Sequence, residues 1–159
     1  MTIRRRTGNL GRIMSSNAPL YDTDFFAWAH QQAALLRSGR VSEADIQNIA
    51  EEIESMGRSE RRELVSRLTV LLTHLLKWRH QPALRGTSWR LSIEEQRYRI
   101  EDHLKDNPSL TAHLEDATHT AYRIARLGAA RETGLDPAIF PLVCPFPFDQ
   151  TMDQTFWPE

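Results

Sequence analysis

A chain of 159 residues fits one domain and can bury a sizeable core. With 40% hydrophobic and 26% charged residues the composition is that of an ordinary globular protein, and a net charge of −1 gives no global pull toward nucleic acid, membrane or acidic substrates. The one cysteine, Cys144, excludes an intrachain disulfide and a Cys-rich zinc motif, so a reducing, cytoplasmic setting is expected.

Residues 1–19 begin with the basic run Arg4–Arg6 but lack the apolar core of a secretory signal. No stretch of the chain is apolar for the ~18 residues that a membrane span needs, and no membrane contact is expected. We expect a flexible extension over 1–19, followed by a single helical domain over 20–157.

Asp22 is placed to cap a first helix carrying Phe25, Phe26, Ala29, Ala33 and Leu36 on one face, with Gly39 as its stop. Ser42 and Asp45 read as a capping pair for a second helix. That helix sets Ile46, Ile49, Ala50, Ile53 and Met56 on one side, and Gly57 is expected to end or kink it. The third helix has the strongest period: Leu64, Leu68, Leu71, Leu72, Leu75 and Trp78 recur every three or four residues. "QPALRGTS" then breaks the pattern, and a fourth helix opens at Ser92, or one turn earlier at Ser88. Pro108 suits the first position of a fifth helix, with Leu110, Leu114, Ala117, Ala121, Ile124 and Gly128 on one face. Its small residues predict close approach to a neighbour. After Gly134, five prolines exclude a long helix, yet Phe140, Val143, Phe146, Phe148 and Phe156 need cover. A segment wrapping the bundle follows, with one short helix near 149–155. The expected fold is all-α: about five helices and a Pro-rich C-terminal wrapping segment.

Charge is uneven along the chain. Residues 41–56 hold five acids and no base, whereas 58–80 hold six bases and two acids. Such asymmetry predicts that the second and third helices lie antiparallel and complement one another.

The blocks "LYDTDFFAWAHQQAALLRSGR", "NIAEEIESMGRSERREL", "LLTHLLKW", "SWRLSIEEQR", "DNPSL" and "ETGLDPAIFP...CPF" occur in that order. Together they resemble a bacterial family known as domain of unknown function 29, over about residues 20 to 157. The resemblance implies a helical cytoplasmic protein and brings no activity with it.

The residues themselves carry little catalytic signal. A di-metal site in a helical bundle needs Glu-x-x-His motifs, and none occurs; in the nearest match, His113-x-x-Asp116-x-x-His119, Asp116 and His119 point away from the apolar face of their helix. No metal or cofactor is therefore implied. In "EEIE" (51–54), Glu52 and Glu54 diverge around the helix and cannot converge on one substrate. Cys144 has no neighbouring base in sequence to lower its pKa, and no phosphate-binding loop or nucleophile elbow occurs.

Two constellations remain. Residues 77–99 interleave Lys77, Arg79, Arg85, Arg90, Arg97 and Arg99 with Trp78, Trp89 and Tyr98. Arginine beside aromatic rings suits single-stranded nucleic acid or a protein interface, while core packing of the two tryptophans is the plainer expectation. Lys77, Trp78, Arg79, Arg85, Trp89 and Arg90 form the candidate binding surface. Second, the buried stripe of the fourth helix (Trp89, Ile93, Ile100, Leu104) includes Arg97, with Gln96 at its edge. A buried guanidinium keeps its proton and calls for a partner. Glu52 or Glu54 is the expected one, in a polar seam that also takes in His74 and Gln96. The leading expectation is a non-enzymatic interaction module acting through a protein partner or as a homo-oligomer. Its rivals are an enzyme or ligand-binding protein using the seam, and a nucleic-acid-binding protein using residues 77–99.

Overall fold

The computed structural model describes residues 19–159, and the expected N-terminal extension lies, but for Pro19, outside the described residues. Those residues are all-α: α1 (Leu20–Thr23), α2 (Phe25–Arg37), α3 (Ile46–His80), α4 (Thr87–Asp106), α5 (Leu114–Thr133) and α6 (Phe148–Met152), joined by short 3-10 turns. The chain divides into two units, one ending at Ile53 and the other beginning at Glu54.

In the first unit, Asp24 rather than Asp22 caps α2, its Oδ1 accepting from the Ala27 N–H at 3.0 Å. α2 ends as the sequence predicts. Gly39 takes φ +74°, and the Arg40 and Gly39 N–H groups donate to the carbonyls of Leu35 and Leu36. That paired closure requires a left-handed residue, which glycine supplies without strain. Residues 41–43 form a 3-10 turn, and Asp45 alone opens α3, accepting from the Asn48 N–H at 3.3 Å.

The expected break at Gly57 does not occur. The second and third helices of the sequence reading are one helix of 35 residues, so they do not lie antiparallel. A glycine inside a helix costs only about 1 kcal/mol. Here it stands free of any neighbouring side chain and does not adopt the positive φ of a cap. The acidic and basic segments are therefore successive stretches of one helix.

The second unit holds the core. Leu64, Leu68, Leu71, Leu72, Leu75 and Leu76 of α3 are fully buried together with Ile93 and Ile100 of α4. α5 adds Ala117, Ala121, Ala125 and Ala129, and the tail adds Phe140 and Phe146. The small residues of α5 do mark a close approach: a Cβ on Gly128 would lie 3.4 Å from Thr73 Oγ1 of α3. Ile124 departs from expectation. It is exposed, and Tyr122 and Ala125 turn inward in its place. The Pro108 segment likewise forms a 3-10 stretch to His113 before α5 begins. Beyond Gly134 the tail packs on the helices, with α6 as its one short α-helix.

Candidate functional site

Arg97 sits where the sequence places it, in the buried stripe of α4, with no exposed surface. Its partners are not the expected ones. Nε donates to the Thr151 carbonyl at 2.8 Å, and Nη2 donates to the Phe156 carbonyl at 2.8 Å. The Trp157 ring lies 5.4 Å from the guanidinium carbon. Burial pulls the Arg97 pKa down, and the charges of Asp153 and Glu94 oppose that shift. Glu52 instead accepts the Tyr21 hydroxyl at 2.6 Å, which pushes that phenol up to about 12. Glu54 lies 3.6 Å from Arg58 at the surface, and the His74 ring Nδ1 is 2.8 Å from the Val70 carbonyl of its own helix. The polar seam of Glu52 or Glu54, His74, Gln96 and Arg97 therefore does not assemble. Gln96 Oε1 and Arg97 Nη1 are buried without a hydrogen-bond partner among the described residues.

The physical reason lies in the tail. α6 stops at Met152, so the carbonyl of Thr151 in its last turn and that of Phe156 beyond it lack the donors that a continuing helix would supply. A guanidinium carries five N–H donors and no acceptor, which suits two carbonyls and an aromatic face at once. Arg97 is a latch for the tail. Proline-rich sequence beside buried aromatics was the available signal for this, but nothing in it identified which carbonyls would need donors.

Trp78, Arg79 and Arg85 of the basic-aromatic stretch serve the same end. Trp78 packs on Trp157, with ring centroids 4.7 Å apart. Arg85 lies over Trp78 and donates from Nε to the Trp78 carbonyl at 2.8 Å and from Nη2 to the Pro158 carbonyl at 3.3 Å. Lys77 is buried, contrary to its expected place on a surface. Its Nζ lies 2.7 Å from Glu132 and 4.6 Å from the Trp89 ring centre. The Lys77 ammonium holds the Glu132 carboxyl below its ordinary range. Arg79 stands 5.9 Å over the Phe146 ring, and Arg90 pairs with Glu94 at 2.9 Å. All six residues of the candidate surface thus have partners inside their own unit.

Other chemistry is sparse. Asp116 pairs with Arg61, and among the described residues no cluster of three His, Cys, Asp or Glu could hold a metal ion. Burial pushes the Cys144 thiol up, so at neutral pH it remains a weakly nucleophilic thiol.

The first unit shows a feature that the sequence did not reveal. α1 and α2 meet the first turns of α3 through polar groups. Trp28 Nε1 donates to Asp45 Oδ2 at 3.3 Å, Gln32 Oε1 accepts from the Asp45 N–H at 2.8 Å, and Tyr21 binds Glu52. Hydrogen bonds from Asn48 chiefly hold the Asp45 carboxyl below its ordinary range. Because Asp45, Asn48 and Glu52 face inward, two of the three isoleucines turn out: Ile46 is 50% and Ile53 63% exposed, while Ile49 stays half-buried. Met56, expected on the same covered face, is also exposed. On α2, Phe25 and Phe26 are open as well.

Among the described residues no helix is long and apolar enough to cross a membrane. No curated protein and no solved structure matches the chain. The family described as "Domain of unknown function DUF29" matches residues 20–157, nearly the whole chain, and the chain belongs to that family.

Proposed function

We propose that the protein is an interaction module that presents Ile46, Ala50 and Ile53 of α3 to a basic amphipathic helix of a partner protein. The observation that carries this reading is the inverted pairing in the first unit, which spends polar groups inward and leaves branched apolar side chains in water. Burying one such side chain is worth ~1.5–3 kcal/mol, which a partner recovers on docking. The charge beside that face selects the partner's sign, because Glu51 and Glu54 stand exposed there and no base occurs between residues 41 and 56. A second copy docked through the same face would set those acids against each other, so a heterotypic partner is favoured.

Fluorescence anisotropy with the full chain tests this. The probes are two labelled synthetic helices with the same leucine face, one flanked by lysines and one by glutamates. The lysine-flanked helix should bind saturably, and Ile53→Asp should weaken it by about tenfold or more. Equal binding of both helices, or binding unchanged in Ile53→Asp, overturns the proposal. So does a dimer in sedimentation that Ile53→Asp dissociates, since the face would then serve self-association.

A further inference from the structure

In the second unit, α5 and the proline-rich tail line a half-open pocket of about 510 Å³. Its apolar lining includes Leu114, Tyr122, Phe146 and Phe148, and its volume lies within the ~300–1,000 Å³ usual for small-molecule sites. The tail wall is held in place by hydrogen bonds within the chain. Tyr122 donates its hydroxyl to the Pro141 carbonyl at 2.7 Å, and Arg126 donates to the carbonyls of Phe140 and Pro137 at 3.0 Å each. Cys144 Sγ closes on the Phe146 carbonyl at 3.3 Å. A preformed wall lowers the ordering cost of binding.

Two observations point to an occupant. Leu142 and Val143 line the pocket at 80% exposure each, an apolar pair left open to water beside an apolar cavity. Glu115 and Asp149 line it beside His119, with no lysine or arginine among the lining residues, and residues 135–159 hold four acids and no base.

We propose that this pocket binds a small amphiphilic cation, an aryl or alkyl body carrying an amine. The body lies against Tyr122, Phe146 and Phe148, and Glu115 and Asp149 receive the ammonium. The site is separate from the α3 face, and neither proposal depends on the other.

The test uses three probes of one shape, 4-phenylbutylamine, 4-phenylbutanol and 4-phenylbutyrate, titrated at millimolar concentrations into the isotope-labelled full chain. Amide shifts of residues 114–122 and 142–149 are followed. The amine should shift these amides saturably and bind about tenfold more tightly than the carboxylate, with the alcohol between them. Glu115→Gln with Asp149→Asn, both exposed positions, should abolish that discrimination while binding of the alcohol persists. Absence of saturable shifts with all three probes, a carboxylate as tight as the amine, or discrimination surviving in the double variant overturns the proposal.

Discussion

Two stretches of α3 carry the same amphipathic period and meet opposite fates. From Leu64 to Leu76 every leucine is fully buried, whereas Ile46 and Ile53 stand open. The difference lies in what faces them. α4 and α5 offer isoleucine and alanine, and leucine turns toward these. α1 offers a phenol and α2 an indole N–H and an amide, and these draw Asp45 and Glu52 inward instead. A helix has one rotational setting about its axis, so satisfying Asp45 and Glu52 sends Ile46 and Ile53 outward. Periodicity thus reveals that a helix has an apolar side; the neighbour decides whether that side is covered.

The largest effect should come from the second unit's tail latch. Arg97→Ala strips donors from the buried carbonyls of Thr151 and Phe156 and leaves a cavity under Trp157. The expected loss is ~4 kcal/mol in urea unfolding, from unsatisfied carbonyls and lost packing combined. Hydrogen exchange should locate the damage, with protection lost first over residues 140–157. Arg97→Met should restore part of the packing and none of the donors, giving an intermediate loss. A stable alanine variant with a protected tail would break the comparison, because the second unit would then not depend on its polar latch.

Gly57→Ala probes the helix that links the two stretches. Open space surrounds Gly57, and its φ is not positive, so alanine should stabilise by ~0.5–1 kcal/mol through helix propensity. Destabilisation would mean that the glycine ends a helix there, as the sequence alone suggested.

Acid should weaken the second unit in two steps. The folded pKa of His80 is lowered by burial and by Arg79, so the unfolded chain takes up its proton first, and stability begins to fall as pH drops through about 6.5. Glu132 is lowered by Lys77. Its contribution is present above its unfolded pKa and is lost as pH falls from about 4.5 through the depressed folded value. Urea midpoints across pH 8 to 3 check both, and Glu132→Gln should flatten only the lower step.

Much of the fold was legible because helices announce themselves through spacing. The leucine run, the placement of Arg97 within a buried stripe, the stop at Gly39 and the short helix of the tail all follow from local pattern. The partner of Arg97 was not legible, since a backbone carbonyl has no letter of its own. Sequence invites pairing arginine with glutamate, while the tail's broken backbone had the greater need of donors. The pocket escaped for a related reason. Its walls join α5 to an irregular segment whose course depends on contacts far apart in sequence, such as Tyr122 with Pro141. Trp78 and Arg85 looked like a surface because basic and aromatic residues have the same composition in an interface as in a belt around a tail.

The most direct measurement is urea unfolding of Ile46→Ser with Ile53→Ser beside Leu72→Ala. Leu72 is fully buried, and its truncation should cost ~2–5 kcal/mol. The serine pair lies on the open face, and it should leave stability within about 1 kcal/mol of the parent, as surface substitutions do. A loss from the serine pair as large as that from Leu72→Ala would show that the isoleucine face is covered within the fold, and would contradict the account.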